Sequence, residues 1–248
     1  MNRILFEPCE IQDGVAEFGG ERAEHVMNVL HGEVGQTLKT GELDGPVGTG
    51  EIVEILEGGK RLRVKVTHDA ESLAPWVDLV LAPPRPRVMK RLLPQLATLG
   101  VGRIFLVGAK KVEKDFWGAT LLKEENYRPL LVDGLMQGGT SVVPTIELRR
   151  NFRKFVREEA DALFTGMRIV AHPYDAEGRG ADSAPAGGDG RMTIAIGPEG
   201  GWTDEEVALL EEHGFRRYSL GSRILRTDTA TVALLARLDV GTINKETT

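Results

Sequence analysis

From Trp76 onward, short apolar runs alternate with longer helical patterns: a strand-like run at 77–81, a helical one at 88–99, then another strand-like run at 103–107. Such alternation demands a parallel sheet with helices on its faces, because each helix carries one apolar stripe that a sheet must cover. Gly100-Val101-Gly102 joins helix to strand with the short connection usual in these units. Ahead of Trp76 the period changes. Glu51-Ile52-Val53-Glu54-Ile55-Leu56 and Leu62-Arg63-Val64-Lys65-Val66 alternate as half-buried strands do, with Gly58-Gly59 between them as a hairpin turn. One helix is predicted in this part, over 21–30, with Ala23, Val26, Met27 and Leu30 on one face and Gly32 as the stop. A small β-barrel with one helix is the simplest reading. The polar stretch with a proline at 70–75 marks a boundary, giving expected domains 1–72 and 73–248. The Gly-, Ala-, Ser- and Asp-rich stretch 178–190 has no apolar period and reads as a loop inside the second domain.

With 41% hydrophobic and 27% charged residues in 248, the chain can bury a core, and disorder or collagen-like structure is excluded. No apolar run approaches the roughly 20 residues of a membrane span, so no membrane partner is expected. Nothing at the N-terminus reads as an export signal. Cys9 is the only cysteine, which excludes an internal disulfide and zinc sites built from two thiolates. A cytoplasmic location fits both. Thirty-one basic against 37 acidic residues give a net charge of −6, so any nucleic-acid contact must use a local basic patch. Candidate patches are Arg85, Arg87, Lys90 and Arg91; Lys110, Lys111 and Lys114; and Arg149, Arg150, Arg153 and Lys154. Each taken alone also reads as a solvated face.

Two segments carry the chemistry. Met192-Thr193-Ile194-Ala195-Ile196 is a buried-strand pattern running into Gly197-Pro198-Glu199-Gly200-Gly201, then Trp202-Thr203-Asp204-Glu205-Glu206. Thr203 and Glu206 form a capping box, and the acidic residues suit the positive end of a helix starting near Asp204. A strand is predicted over 215–220, followed by Leu220-Gly221-Ser222-Arg223-Ile224-Leu225-Arg226-Thr227-Asp228-Thr229-Ala230 and a helix burying Val232, Leu234, Leu235 and Leu238. Taken alone, the Gly-rich turn is equally a tight strand-to-helix connection needing positive φ, and Arg223 and Arg226 are equally an exposed loop pair. Together, two unusual loops beyond the carboxyl ends of parallel strands describe one ligand pocket, in which Arg226 and Glu199 are expected to meet.

This pair of segments resembles the RsmE family of 16S ribosomal RNA uridine N3-methyltransferases in the SPOUT superfamily. The resemblance extends over Met1 to Glu7, His25-Val26-Met27-Asn28-Val29-Leu30 and Leu99-Gly100-Val101, nearly the whole chain. It implies an α/β fold: a C-terminal SPOUT-type, trefoil-knotted domain with a parallel sheet, preceded by a small PUA-like β-barrel for RNA. It also implies a homodimer, S-adenosyl-L-methionine as cofactor, and 16S rRNA or an assembled small ribosomal subunit as partner. The cofactor residues implied are Ala171, His172, Ile196, Gly197, Pro198, Glu199, Gly200, Gly201, Leu220, Gly221, Ile224, Leu225, Arg226 and Ala230. Arg226 is the expected catalytic residue, favouring the deprotonated uridine N3, with Glu199 orienting it or touching substrate. Arg3, Arg85, Arg87, Lys90 and Gln137 are the expected RNA contacts. The chain departs from the family pattern at Asp228, where Glu is usual, at His31, at Thr98 and in the run Pro83-Pro84-Arg85-Pro86-Arg87.

Other chemistries lack their constellations. Gly139-Thr140-Ser141-Val142-Val143 misses the last glycine of a nucleophile elbow, Gly178-Arg179-Gly180-Ala181-Asp182-Ser183 fails the dinucleotide fingerprint, and no Walker lysine motif is present. His25, His31, His68, His172 and His213 show no metal-ligand spacing, so no metal is expected. Two rivals stay open on sequence grounds: a SPOUT methyltransferase acting at another RNA site, and a non-catalytic ribosome-binding assembly factor.

Overall fold

Two period-2 runs joined by adjacent glycines become the longest ladder of the molecule. In the computed structural model, which describes residues 2–173 and 191–239, β5 (Val47–Leu56) pairs antiparallel with β6 (Arg61–Ala70), and Gly58 and Gly59 take φ of 67° and 95° in the connection. With β1 (Ile4–Phe6), β2 (Ile11–Gln12), β3 (Val15–Gly19) and β4 (Thr37–Glu42) they form a six-stranded sheet of order β1-β4-β5-β6-β3-β2. In a flat sheet β1 and β3, four strand spacings apart, would be about 19 Å from one another. Instead the rings of Phe6 on β1 and Phe18 on β3 have centroids 5.3 Å apart, so the sheet curls on itself around a core that includes Leu38, Ile52, Leu62 and Val64. This is the barrel-like form expected from the alternation.

Helix α1 (Gly20–Asn28) buries Ala23 and Val26 against that core. It ends before the expected Leu30, which is 38% exposed. The chain leaves the helix at Val29: the Leu30 amide bonds the His25 carbonyl (3.2 Å), and the Gly32 amide takes the Val26 carbonyl (3.0 Å) that Leu30 would use in a continuing helix.

The chain divides into two compact units, Met1–Ala74 with Pro129–Val143, and Pro75–Arg128 with Pro144–Thr248. The break at Ala74 falls close to the expected boundary at 72. Residues 129–143, however, belong to the first unit and not to the second, as the expected boundary had them. The cause is polar and non-local: the Met136 carbonyl accepts the amides of Asn2 (2.9 Å) and Arg3 (3.0 Å), Ser141 Oγ donates to the Gly45 carbonyl (2.6 Å), and the Val143 amide donates to Asp44 Oδ1 (2.7 Å). No hydrophobic period reports such bonds.

The second unit is the expected parallel sheet. Its strands are β7 (Val77–Leu81), β8 (Val101–Val107), β9 (Thr145–Arg149), β10 (Arg168–Ala171), β11 (Met192–Ile196) and β12 (Arg216–Tyr218), in the order β12-β10-β11-β7-β8-β9 with every pairing parallel. Its helices are α2 (Pro86–Thr98), α4 (Phe152–Glu158), α5 (Ala160–Leu163), α6 (Asp204–Glu212) and α7 (Thr227–Leu238), while α3 (Glu124–Gly138) starts in this unit and from Pro129 belongs to the first. Helix α2 starts earlier than expected because Pro86 occupies its first turn, where a missing N–H costs nothing. Strand β12 is shorter than the expected 215–220: Ser219 Oγ donates to the Pro173 carbonyl and accepts the Gly221 amide (3.1 Å), which turns the chain out of the sheet.

Phe105 stacks on Phe155 and meets the edge of Phe164, centring a core that runs to Val170, Ala195 and Leu210. Within β7 one carboxylate is buried: Asp78 binds Arg103 (2.6 Å) and Arg191 (3.0 Å). The connection from β11 to β12 crosses β10, and the segment after β12 returns to the end of β11. The expected loop 178–190 lies outside the described residues.

Candidate active site

At the carboxyl end of β11 the chain turns sharply over 197–201. Gly201 has φ 70° and donates its amide to the Pro198 carbonyl (2.8 Å), a conformation that disfavours side chains. A Cβ on Gly197 would stand 3.1 Å from Trp202 Cδ1, so closeness of packing, not φ, requires glycine there. The turn delivers Thr203 to the start of α6, where the expected capping box forms: Glu206 Oε2 accepts the Thr203 amide (2.9 Å) and Thr203 Oγ1 accepts the Glu206 amide (3.4 Å). Glu206 is buried, and its other oxygen accepts the Lys110 amide (2.7 Å), anchoring the segment after β8 to α6. Lys111 Nζ then donates to the Gly200 carbonyl (2.7 Å).

The second loop, between β12 and α7, is held to the first. Thr227 Oγ1 donates to the Gly197 carbonyl (3.3 Å), and Thr231 Oγ1 donates to the Thr227 carbonyl (2.6 Å). From β10, the His172 amide donates to the Tyr218 carbonyl (3.0 Å). The three strand ends enclose a pocket of about 280 Å³, close to the lower end of the usual range for small-molecule sites.

All but one of the expected cofactor residues line it: Ala171 and His172 from β10, Ile196, Gly197, Pro198, Glu199, Gly200 and Gly201 from the first loop, Leu220, Gly221, Ile224 and Leu225 from the second, and Ala230 from α7. Pro173, Tyr218, Arg223, Thr227 and Leu234 join them. Sequence reasoning left out Tyr218, which ends a strand in the same way as Ile196 does and was legible by that rule. Its hydroxyl accepts a bond from Arg237 Nε (2.9 Å). The lining is mostly aliphatic side chains and backbone amides and carbonyls, with His172, Glu199, Tyr218 and Arg223 among them, a set suited to an adenine ring and its ribose. The residues present therefore fit S-adenosylmethionine.

Arg226 is the exception. It lines a neighbouring cavity of about 500 Å³ with Arg85, Val88, Arg91 and Asp228, and this cavity shares Glu199, Ile224, Leu225 and Thr227 with the pocket. Arg226 and Glu199 line this cavity together, while the ion-pair partner of Glu199 is Arg85 (3.8 Å), whose Nε also binds Glu113 (3.2 Å). Among the described residues the Arg226 side chain has no hydrogen-bond or ion-pair partner. Asp228, the departure from the family pattern, pairs with Arg91 (3.5 Å). Val88 and Arg91 stand three apart on one face of α2 and Arg85 is its N-cap, a spacing readable in the sequence.

The other expected RNA contacts divide. Arg87 and Lys90 are exposed near the start of α2. Gln137 is exposed near the end of α3, its carbonyl taking Asn2 Nδ2 (2.8 Å). Arg3 is corrected to a structural residue: its guanidinium donates to the carbonyls of Gly139 (2.9 Å), Thr40 (2.6 Å) and Gly48 (3.1 Å), which leaves little of it for a phosphate. In the 149–154 cluster, Arg149 binds Glu147 and Glu159, Arg153 binds Glu205, and Lys154 pairs with Glu158, so internal ion pairs absorb much of its charge.

Comparison with known proteins matches residues 71–239 to the family model described as an RNA methyltransferase domain. Ribosomal RNA small subunit methyltransferase E of Treponema pallidum is 33% identical over 245 residues, covering 95% of this chain and 90% of that protein. A Legionella pneumophila protein solved with bound S-adenosylmethionine is 27% identical, with a TM-score of 0.71 over 96% of this chain and 97% of that one. Ribosomal RNA small subunit methyltransferase E of Neisseria gonorrhoeae, also solved with S-adenosylmethionine, shares the fold at 21% identity and a TM-score of 0.73, covering 97% of each chain.

Proposed function

Because the chain belongs to the RNA methyltransferase family that includes ribosomal RNA small subunit methyltransferase E, we propose that it transfers a methyl group from S-adenosylmethionine to N3 of a uridine in 16S rRNA. The observation that carries this reading is the pairing of two cavities. One is largely aliphatic and backbone-lined with a single arginine, Arg223, the other carries three, and they share Glu199, Ile224, Leu225 and Thr227. A cofactor in the first and a nucleotide in the second would meet at those residues.

The bound cofactor supplies an electrophilic methyl group on a sulfonium centre. The protein's tasks are to hold the acceptor nitrogen in line with it and to exclude water. Ala171, Ile196, Leu220 and Leu234 provide the dry wall, and the backbone of 196–201 and 218–221 orients the ligand. Uridine N3 is protonated at neutral pH and a poor nucleophile. A guanidinium beside the base stabilises its anion, and each unit by which the pKa falls is worth about 1.4 kcal/mol. Arg226, which has no protein partner among the described residues and lies in the adjoining cavity, is the residue for this task. Replacing it by Ala should leave cofactor affinity within about twofold and lower kcat by about 10²-fold; equal losses in both would reject the assignment.

In this reading the first unit is a PUA-like RNA-binding module, Arg85, Arg87, Lys90 and Gln137 contact RNA, and the protein works in the cytoplasm as a homodimer on 16S rRNA or the assembled small subunit. The test is to incubate the protein with methyl-labelled S-adenosylmethionine and unmodified small subunits, digest the RNA and identify the labelled nucleoside by chromatography and mass. Label in N3-methyluridine supports the proposal. Label in another nucleoside overturns the specificity, and absence of label with intact RNA binding favours the assembly-factor alternative.

A further inference from the structure

We infer that the cavity between the starts of α2 and α7 is a phosphodiester subsite for the RNA strand bearing the target nucleotide: Arg85 and Arg91 take the phosphate, and Glu199 and Asp228 are internal anions that it displaces. This rests on the methyltransferase reading of the neighbouring pocket and adds to it a site for the acceptor's backbone.

The local electrostatics point to an anion. Two helices, of 13 and 12 residues, begin at this cavity, and their N-caps are Arg85 and Arg226. Neither receives a side-chain cap hydrogen bond. An arginine at this position sets a cation against the positive end of the helix dipole and offers no acceptor to the first amides; Pro86 has no N–H to satisfy at the start of α2, and in α7 Asp228 Oδ1 accepts the Thr229 amide (2.9 Å). Helix α6 of the same unit shows the stabilising arrangement, with a Thr203–Glu206 capping box and three acidic residues in its first turn. Three guanidiniums, of Arg85, Arg91 and Arg226, against the two carboxylates of Glu199 and Asp228 leave the lining of a cavity at two helix starts with a net positive charge, which suits a ligand anion.

The carboxylates already present hold these arginines weakly. Arg85 and Arg91 side chains are each 64% exposed; Arg85 pairs with Glu113 (3.2 Å), itself 63% exposed, and with Glu199 (3.8 Å), and Arg91 pairs with Asp228 (3.5 Å). Exposed pairs of this kind contribute little and exchange readily for a better anion. The cavity, about 500 Å³, has room for a nucleotide and far exceeds one carboxylate. Since Glu199 lines both cavities, displacement of its carboxylate from Arg85 links arrival of the RNA backbone to the wall of the cofactor pocket. Arg226, on α7, is left to the base.

The experiment uses the full-length protein and its Arg91→Gln and Glu199→Gln variants, each checked for folding by circular dichroism and thermal melting. Affinity for unmodified 16S RNA transcribed in vitro is measured against salt concentration, and affinity for S-adenosylmethionine by calorimetry. Loss of one phosphate contact should reduce the slope of log K against log salt by about 0.7 to 0.9. Arg91→Gln is expected to show that reduction with cofactor affinity unchanged, and Glu199→Gln to bind RNA up to about fivefold more tightly, having lost the competing anion. An unchanged salt slope in Arg91→Gln, or weaker RNA binding in Glu199→Gln, overturns the proposal. Weaker cofactor binding in Arg91→Gln with an unchanged slope would assign the cavity to the cofactor's carboxylate. Failure of the parent protein to bind S-adenosylmethionine would instead reject the methyltransferase reading itself.

Discussion

Thr227 Oγ1 donates to the carbonyl of Gly197 at 3.3 Å, tying the first residue of α7 to the residue that follows β11. The two are 30 residues apart in sequence, and both line the same pocket. The bond gives the two loops a common position, which a ligand bound between them requires.

Replacing Thr227 with Val keeps its shape and removes the tie. A neutral hydrogen bond is worth about 1 kcal/mol, so S-adenosylmethionine affinity should fall about fivefold, while Thr227→Ser should retain it. Calorimetry on the three proteins decides, and equal affinities would show that the bond has no bearing on the pocket.

Glu206 is buried with three hydrogen bonds to its carboxylate, from the Lys110 amide, the Thr203 amide and the Thr203 hydroxyl. Hydrogen bonds to charged groups are worth more than neutral ones, about 1.5–3 kcal/mol. Glu206→Ala should therefore lower the urea midpoint by an amount equivalent to at least about 2 kcal/mol. Thr203→Ala, which removes only the cap, should cost about 1 kcal/mol.

Asp78 is 1% exposed between Arg103 and Arg191. Asp78→Asn would remove the counter-charge of two part-exposed guanidiniums and should destabilise the second unit by about 1–3 kcal/mol. Asp78 pairs in register with Thr193, whereas Leu81 pairs with Ile196 at the pocket end. The site is thus about 10 Å away along the strand, and the folded variant should bind cofactor normally. Urea melts and calorimetry separate these two effects.

Hydrogen bonds from Arg168 and then His213 hold the Asp161 carboxyl below its ordinary 3.8. A depressed carboxyl binds fewer protons in the folded state, so it stabilises the protein above pH 3.8, and that contribution is lost as pH falls through the lower folded value. The advantage of the wild type over Asp161→Asn should be full at neutral pH and shrink below 3.8. Exposure of Asp161 keeps it small. Urea midpoints of both proteins at pH values on either side of 3.8 test the sign.

The parts of the fold that rest on neighbours in sequence were legible before any coordinates. The 77–81 and 103–107 runs are strands, Gly58-Gly59 turns a hairpin, and Thr203 with Glu206 caps α6. Leu30 lies off the helix because a helical period says which face is apolar but not where the helix stops; the bond from the Gly32 amide to the Val26 carbonyl closes it first. Residues 129–143 join the first unit through amide and hydroxyl bonds, which hydropathy does not register.

The amino-acid order by itself determined the strand–turn–helix units, their capping and the two glycine-containing loops, because each depends on residues within a few positions of one another. Through family resemblance, the same loops also marked most of the pocket lining. Tertiary structure alone decided which charged groups face one another. The order β12-β10-β11 brings the 197–201 and 219–227 loops together and opens both α2 and α7 onto one cavity. There Glu199 takes Arg85, Asp228 takes Arg91, and Arg226 is left without a protein partner among the described residues. Ion pairing falls off steeply with distance and depends on exposure, and both are properties of chain crossing, which no local pattern of residues records.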